Sequence, residues 1–292
     1  IVEEIKMYED TPDELIHDLF AEVILHDHPL ARPTIGNEKT VRSIKREDII
    51  NFTKRLYTPD NTIIALAGNI DHEQALAMIE PAFSKMIGKK PKYELPVPTV
   101  KKASKLKYKK TEQVHICLGT SGPSQLNDDR YAFSVLDTVL GGSMSSHLFQ
   151  EVREKRGLAY AIYSYNAALK DCGLYVVYSG TSKETFKQVI DLIVSEFNRI
   201  KKSGLTKEEM ERSKEHLKGS LVLGLESTSS RMGWLAKSEF YYGRVLTFDE
   251  VFDKIDKVTQ DDIINVANKY IKEEDLTLTV IGDLEENELP KV

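Results

Sequence analysis

Residues 46–71 and 260–285 align without a gap at an offset of 214. Asp48, Ile49, Ile50, Asn51 and Gly68 recur as Asp262, Ile263, Ile264, Asn265 and Gly282. Elsewhere like replaces like: Glu47 by Asp261, Arg55 by Lys269, Asn69 by Asp283. Each copy reads as a helix, a turn, a buried strand and an exit through glycine followed by Asn or Asp. Five identities in twenty-six positions are within reach of any two helix–turn–strand units. The matching order of the flanking helices favours duplication. A duplicated chain must build two homologous domains, and the mixture of helices with a few strands, not in strict β-α-β order, makes each of them α+β.

The second unit opens near Lys105, so on the same offset the first should open about 110 residues before Ile1. The chain starts Ile1-Val2-Glu3-Glu4, without methionine. The expectation is therefore a first domain truncated at its N-terminus, covering 1–88. A linker follows over 89–104, where Pro91, Pro96 and Pro98 stand among five lysines. The second, homologous domain takes 105–292.

Local signals fill in the two units. Proline after Thr11, with Glu14 three residues on, starts a helix whose stripe is Leu15, Ile16, Leu19, Phe20, Val23 and Ile24. A helix over 46–56, a turn at Thr58-Pro59-Asp60-Asn61, a buried strand over 62–67 and a helix over 72–86 follow. In the second unit the spacing predicts strands around 114–118, 159–168, 173–180 and 276–281. Helices are predicted near 128–140, 146–155 and 186–200, with others started by Thr206, Thr247 and Thr259.

Composition excludes several classes. Forty basic against forty-six acidic residues leave a net charge of −6, opposite to a nucleic-acid binder. Hydrophobic residues at 41% rule out intrinsic disorder. The longest apolar runs, 63–67 and 174–178, cannot span a bilayer. Two cysteines, Cys117 and Cys172, make no disulfide framework and point to a reducing, cytoplasmic setting.

Several residues could carry chemistry. Glu4 shares a helix face with Ile1, Ile5 and Tyr8, where a carboxylate must find a cation, a metal or a proton. A pairing Lys or Arg, or a frayed terminus, would satisfy it equally. His26-x-His28 is either a metal pair or, more in keeping with the following Pro29, a helix end. The other histidines show no ligand spacing, and neither HExxH nor HxxEH occurs. The run 141–146, Gly-Gly-Ser-Met-Ser-Ser, could cradle phosphate, but without a P-loop ending it reads better as a helix break. Arg153, on a helix ending at Gly157, and Tyr160, opening the next strand, could aim a guanidinium and a phenol at one spot. Surface charge and a core tyrosine are the plain alternative. Nine lysines over 89–110 lack an aromatic platform and read as a solvated linker rather than a nucleic-acid patch.

Glu3 to Glu14, His28-Pro29-Leu30, the turn 57–61, and the continuous stretch from Leu140 to Glu154 with Gly157-Leu158-Ala159-Tyr160 resemble the pitrilysin/insulinase-type zinc metallopeptidases. Within that family the bacterial branch similar to mitochondrial processing peptidase matches best. The resemblance implies two homologous α+β domains forming half of a clamshell. It also implies a Zn2+ site built from the two histidines of an inverted H-x-x-E-H motif and a later glutamate. Glu4 matches that third ligand. Arg153 and Tyr160 match a pair that reaches the substrate backbone near the metal. The motif itself is not in this sequence and is expected about seventy residues before Ile1.

The function so implied is a zinc metalloendopeptidase acting on peptides or unfolded polypeptide, as a homodimer or a paired subunit, with no nucleic-acid or membrane partner. Without the motif the 292-residue chain alone is expected to be inactive. The alternative is a non-catalytic substrate-binding or assembly subunit of a processing-peptidase-like complex.

Overall fold

The computed structural model describes residues 1–92 and 96–291. In chain order the elements begin with α1 (Val2–Glu9), α2 (Pro12–Leu25), α3 (Glu38–Ser43), α4 (Arg46–Leu56) and α5 (His72–Phe83). Next come β1 (Ala103–Tyr108), β2 (Val114–Gly122), α6 (Asp129–Leu140), a π-helical turn (Phe149–Glu154), β3 (Ala159–Ala168) and β4 (Gly173–Thr181). The chain closes with α7 (Phe186–Ser203), α8 (Lys207–Gly224), α9 (Thr228–Tyr242), α10 (Phe248–Asp256), α11 (Gln260–Tyr270) and β5 (Thr277–Gly282). The expected α+β class is what these elements form. Residues 93–95 of the expected linker lie outside the described residues.

Packing divides the chain into two compact units, and their limits differ from the contiguous 1–88, 89–104 and 105–292 reading. One unit takes residues 1–37, 97–218 and 251–292, and the other takes 38–96 and 219–250. The physical reason is α2. Its apolar stripe, Ile16, Leu19, Phe20, Val23 and Ile24, is buried against Cys117 of β2, Leu174, Val176 and Tyr178 of β4 and Ile281 of β5. The first 37 residues are therefore tied to the sheet that follows residue 100.

In the larger unit the sheet runs β1-β5-β2-β4-β3, with β1 parallel to β5 and the other pairs antiparallel. Even-numbered residues of β4 meet α2. The alternate residue Tyr175 turns to the other face and packs edge-on against Phe133 of α6, where α7 and α11 also lie. Covered on both faces, β4 and β5 are buried along their whole length; β4 carries the apolar run 174–178, whereas in β5 Thr277 and Thr279 alternate with Leu278 and Val280.

A polar cluster sits at the edge of the α2 contact. His17 of α2 places Nδ1 2.7 Å from the Tyr165 hydroxyl and Nε2 3.2 Å from that of Tyr163. The buried Cys117 thiol lies 3.6 Å from the same Nδ1. Burial lowers the His17 pKa below its ordinary 6.5, against a smaller opposing pull from Asp13, and burial pushes the Cys117 thiol well up.

The smaller unit holds α3, α4, α5 and α9. Trp234 of α9 donates its indole N–H to the carbonyl of Leu246 (3.1 Å), over a cavity of about 690 Å³ lined by Leu66, Leu225, Trp234, Leu246 and Phe248. The buried strand expected over 62–67 is not formed: among the described residues that segment joins no ladder. Its counterpart β5 is flanked by β1 and β2. Burial follows the same rule. Ile49 and Leu66 are 57% and 43% exposed, whereas their counterparts Ile263 and Val280 are fully buried. A strand without neighbours keeps neither its hydrogen bonds nor its cover.

His17 generates a pH prediction. Its folded pKa lies below the unfolded one, so the unfolded chain takes up the proton first. The stability that neutral His17 contributes is present above pH 6.5 and is lost as pH falls through the folded value. Urea melts at pH 7 and pH 5 should show a loss that is smaller in His17→Gln; equal losses would remove His17 as a cause.

Candidate functional site

The sequence places the site in the passage from α6 to β3. Gly141 ends α6 against β3: the Ser164 N–H donates to its carbonyl (3.1 Å), and a Cβ there would stand 2.4 Å from the Ser164 hydroxyl oxygen. Leu148 and Val152, both fully buried, anchor the following turn. It is wound as a π-helix over Phe149–Glu154, a geometry that recurs at functional sites. Gly157 then takes φ 61°, the left-handed region that glycine enters without cost. The Gly157 N–H donates to Arg153 O (3.0 Å) and the Leu158 N–H to Val152 O (2.9 Å). A register shift between Ala159 and Ala161 marks a bulge at Tyr160. Bulges re-aim side chains, and Tyr160 is 74% exposed.

This geometry brings Arg153 and Tyr160 together. The guanidinium carbon lies 5.7 Å from the centre of the Tyr160 ring and 5.0 Å from that of Phe149, within cation–π range. Neighbouring charge is neutralised separately. Lys155 (2.5 Å) and Arg156 both pair with Glu151 and hold its carboxyl down at about 2. Among the described residues Arg153 has no ion pair. A guanidinium held by two ring faces, with its N–H groups unspent, beside an exposed phenol can donate several hydrogen bonds to one carbonyl.

Glu4 is not brought into any such cluster. In α1 only Ile5 is buried, and the Glu4 side chain is 65% exposed, 3.7 Å from the Ile1 amino group. Among the described residues no three His, Cys, Asp or Glu side chains stand together as a metal site. The donors in hand do not by themselves fit a catalytic zinc, which takes three protein ligands and a water. His26 and His28 resolve as a turn. His26 caps α2 at φ 50°, and His28 Nδ1 accepts the Leu30 N–H (3.2 Å).

One polar cluster was not foreseen. His147 Nε2 lies 2.6 Å from Glu209 and its Nδ1 3.3 Å from Glu196, which Arg199 also holds (2.8 Å). These residues come from three separated stretches of sequence, so no spacing signal could have joined them. Unpaired and apart, Cys117 is buried and Cys172 half-buried. No described helix is long and apolar enough to cross a membrane.

Comparison with known proteins agrees with this fold. The family model described as the peptidase M16 inactive domain matches residues 43–217, the stretch that contains Arg153 and Tyr160. A protein from Streptomyces coelicolor named as an uncharacterized zinc protease is 38% identical over the whole of this chain, which spans 65% of its length. The uncharacterized zinc protease YmxG of Bacillus subtilis is 37% identical over 97% of this chain and 68% of its own. Among solved structures, the peptidase M16 inactive domain from Pseudomonas fluorescens superimposes with a TM-score of 0.89 at 22% identity, over 97% of this chain and 69% of that one. A chain of complex III2 from Candida albicans gives 0.88 at 20% identity, over 98% and 71%; these two likenesses bear on the fold alone. With a family model over more than half its length and relatives named zinc proteases along all of it, this chain belongs to the peptidase M16 family.

Proposed function

We propose that this chain is the larger part of a zinc metalloendopeptidase that hydrolyses peptides or unfolded polypeptide segments. The observation that carries the reading is the Arg153–Tyr160 pair, two exposed hydrogen-bond donors set side by side, with no ion pair to Arg153 among the described residues. The names of the relatives, zinc proteases along the whole chain, support the metal.

In this reading Glu4 is one ligand of a Zn2+ whose histidines come from the inverted motif, outside residues 1–292. When bound, the metal supplies an activated water and a polarised carbonyl. The role of this chain's own residues is to bind and orient. Arg153 donates to the carbonyl of an extended peptide, and the Tyr160 hydroxyl donates to the same oxygen as charge develops on it. An extended substrate adds along a sheet edge, so conformation matters more than sequence. Two homologous domains in half of a clamshell, and a homodimer or paired subunit in a reducing cytoplasm, complete the reading.

A non-catalytic substrate-binding or assembly subunit is the second reading. The description of the matched family model as an inactive domain favours it. The gene sequence upstream of Ile1, with metal analysis of the longer product, separates the two. An H-x-x-E-H motif with bound zinc supports the peptidase, and a full domain without the motif supports the binding subunit.

In the zinc-bearing product, Arg153→Ala should lower kcat/KM roughly 100-fold or more and Tyr160→Phe about tenfold, as for lost oxyanion donors. Zinc content and melting should hold, because both side chains are solvent-facing and surface changes cost within about 0.5 kcal/mol. Unchanged kinetics in both variants would remove their role. Glu4→Gln in the same product should abolish zinc retention by plasma emission analysis; full metal content would refute Glu4 as a ligand.

A further inference from the structure

We propose that His147 is a positioning residue for Arg153, fixing the turn that carries the guanidinium through polar contacts to α7 and α8. The proposal rests on the reading of Arg153 as a donor to the substrate carbonyl, and names the group that aims that donor.

The turn has two ends to hold. Its C-terminal end is closed by the Gly157 and Leu158 N–H bonds to Arg153 O and Val152 O, with β3 following at once. Its body is buried through Leu148 and Val152. Apolar burial is non-directional, so it sets how deep the turn sits and leaves its rotation free. The bonds from the Phe149 and Gln150 N–H groups to Ser146 are local to the segment. A π-helical turn is a rare register, and a slip toward the α-helical one would swing Arg153 off the Phe149 and Tyr160 rings.

His147 supplies direction at the N-terminal end. Its Nε2 lies 2.6 Å from Glu209 Oε1, in the first turn of α8, and its Nδ1 3.3 Å from Glu196 Oε2 of α7. Arg199 Nη2 stands against the same Nδ1, while Arg199 Nε donates to Glu196 (2.8 Å). Either protonation state of the ring therefore keeps two anchors. The neutral ring donates from Nε2 to Glu209 and accepts from Arg199; the charged ring donates to both carboxylates. The anchor points are themselves held. Glu209 Oε2 accepts the Thr206 N–H (2.8 Å), and the Glu209 N–H donates to Thr206 Oγ1 (3.2 Å). Glu196 sits beside the buried Ile193 and Phe197. The His147, Glu196 and Glu209 side chains are 19%, 16% and 18% exposed, so water and salt screen these contacts less than surface pairs.

The test joins an NMR signature in this chain to kinetics in the zinc-bearing product. The Arg153 Nε–H resonance, assigned by its loss in Arg153→Lys, should carry the upfield shift of a group over aromatic rings. His147→Ala should move it to the position of a free arginine. His147→Gln, whose amide keeps one donor and one acceptor, should hold it in place. His147→Leu replaces the alanine variant should circular dichroism show that the latter does not fold. In the zinc-bearing product His147→Ala should lower kcat/KM roughly tenfold or more, as for a displaced binding group. In an Arg153→Ala background the same change should cost less than about twofold, because nothing is left to aim. An unmoved Arg153 resonance, or an equal kinetic loss in both backgrounds, overturns the proposal. A moved resonance with normal kinetics in Arg153→Ala refutes the hydrolytic role of Arg153 instead and leaves its positioning by His147 standing.

Discussion

A β-strand buried on both faces needs a layer on each side and a strand at each edge, and most of this structure follows from that demand. In the larger unit β5 has β1 and β2 at its edges, α2 on one face and α11 among the helices of the other. Phe20, Val176 and Ile281 are buried on the α2 side of the sheet, and Tyr175 and Phe197 on the other. The α2 helix is the part that chain order would not have supplied. It leaves the segment it is contiguous with and covers a sheet that begins some eighty residues later.

The smaller unit shows the same demand unmet. Residues 62–67 join no ladder among the described residues, and Ile49 of α4, Ile64 and Leu66 remain at the surface. Apolar side chains at strand and helix spacing acquire burial only when neighbouring layers exist. Ile49 and Ile263 are the same residue at the same helical position, so the contrast in their burial is a property of neighbours.

At the candidate site, precision comes from backbone devices. A π-helical turn, a left-handed Gly157 and a bulge at Tyr160 occur within twelve residues. Each re-aims a side chain, and together they set Arg153 over two aromatic rings while Glu151 absorbs the neighbouring cations. The His147 cluster behind the loop repeats the principle with buried charge: two carboxylates, an imidazole and a guanidinium satisfy one another, as half-buried charges must.

Much of this was legible from residues alone. The α+β class, β2 to β4, α7 and the Arg153–Tyr160 pairing rest on local periodicity, caps and glycine placement, which act within a few residues and so survive in the sequence. The tertiary structure decided three things that periodicity cannot encode. It joined α2 to a distant sheet, left 62–67 without a ladder, and assembled His147 with Glu196 and Glu209. Each is a contact between stretches far apart in the chain. Helix and strand spacing specify which face is apolar, but only the packed neighbours determine what that face meets.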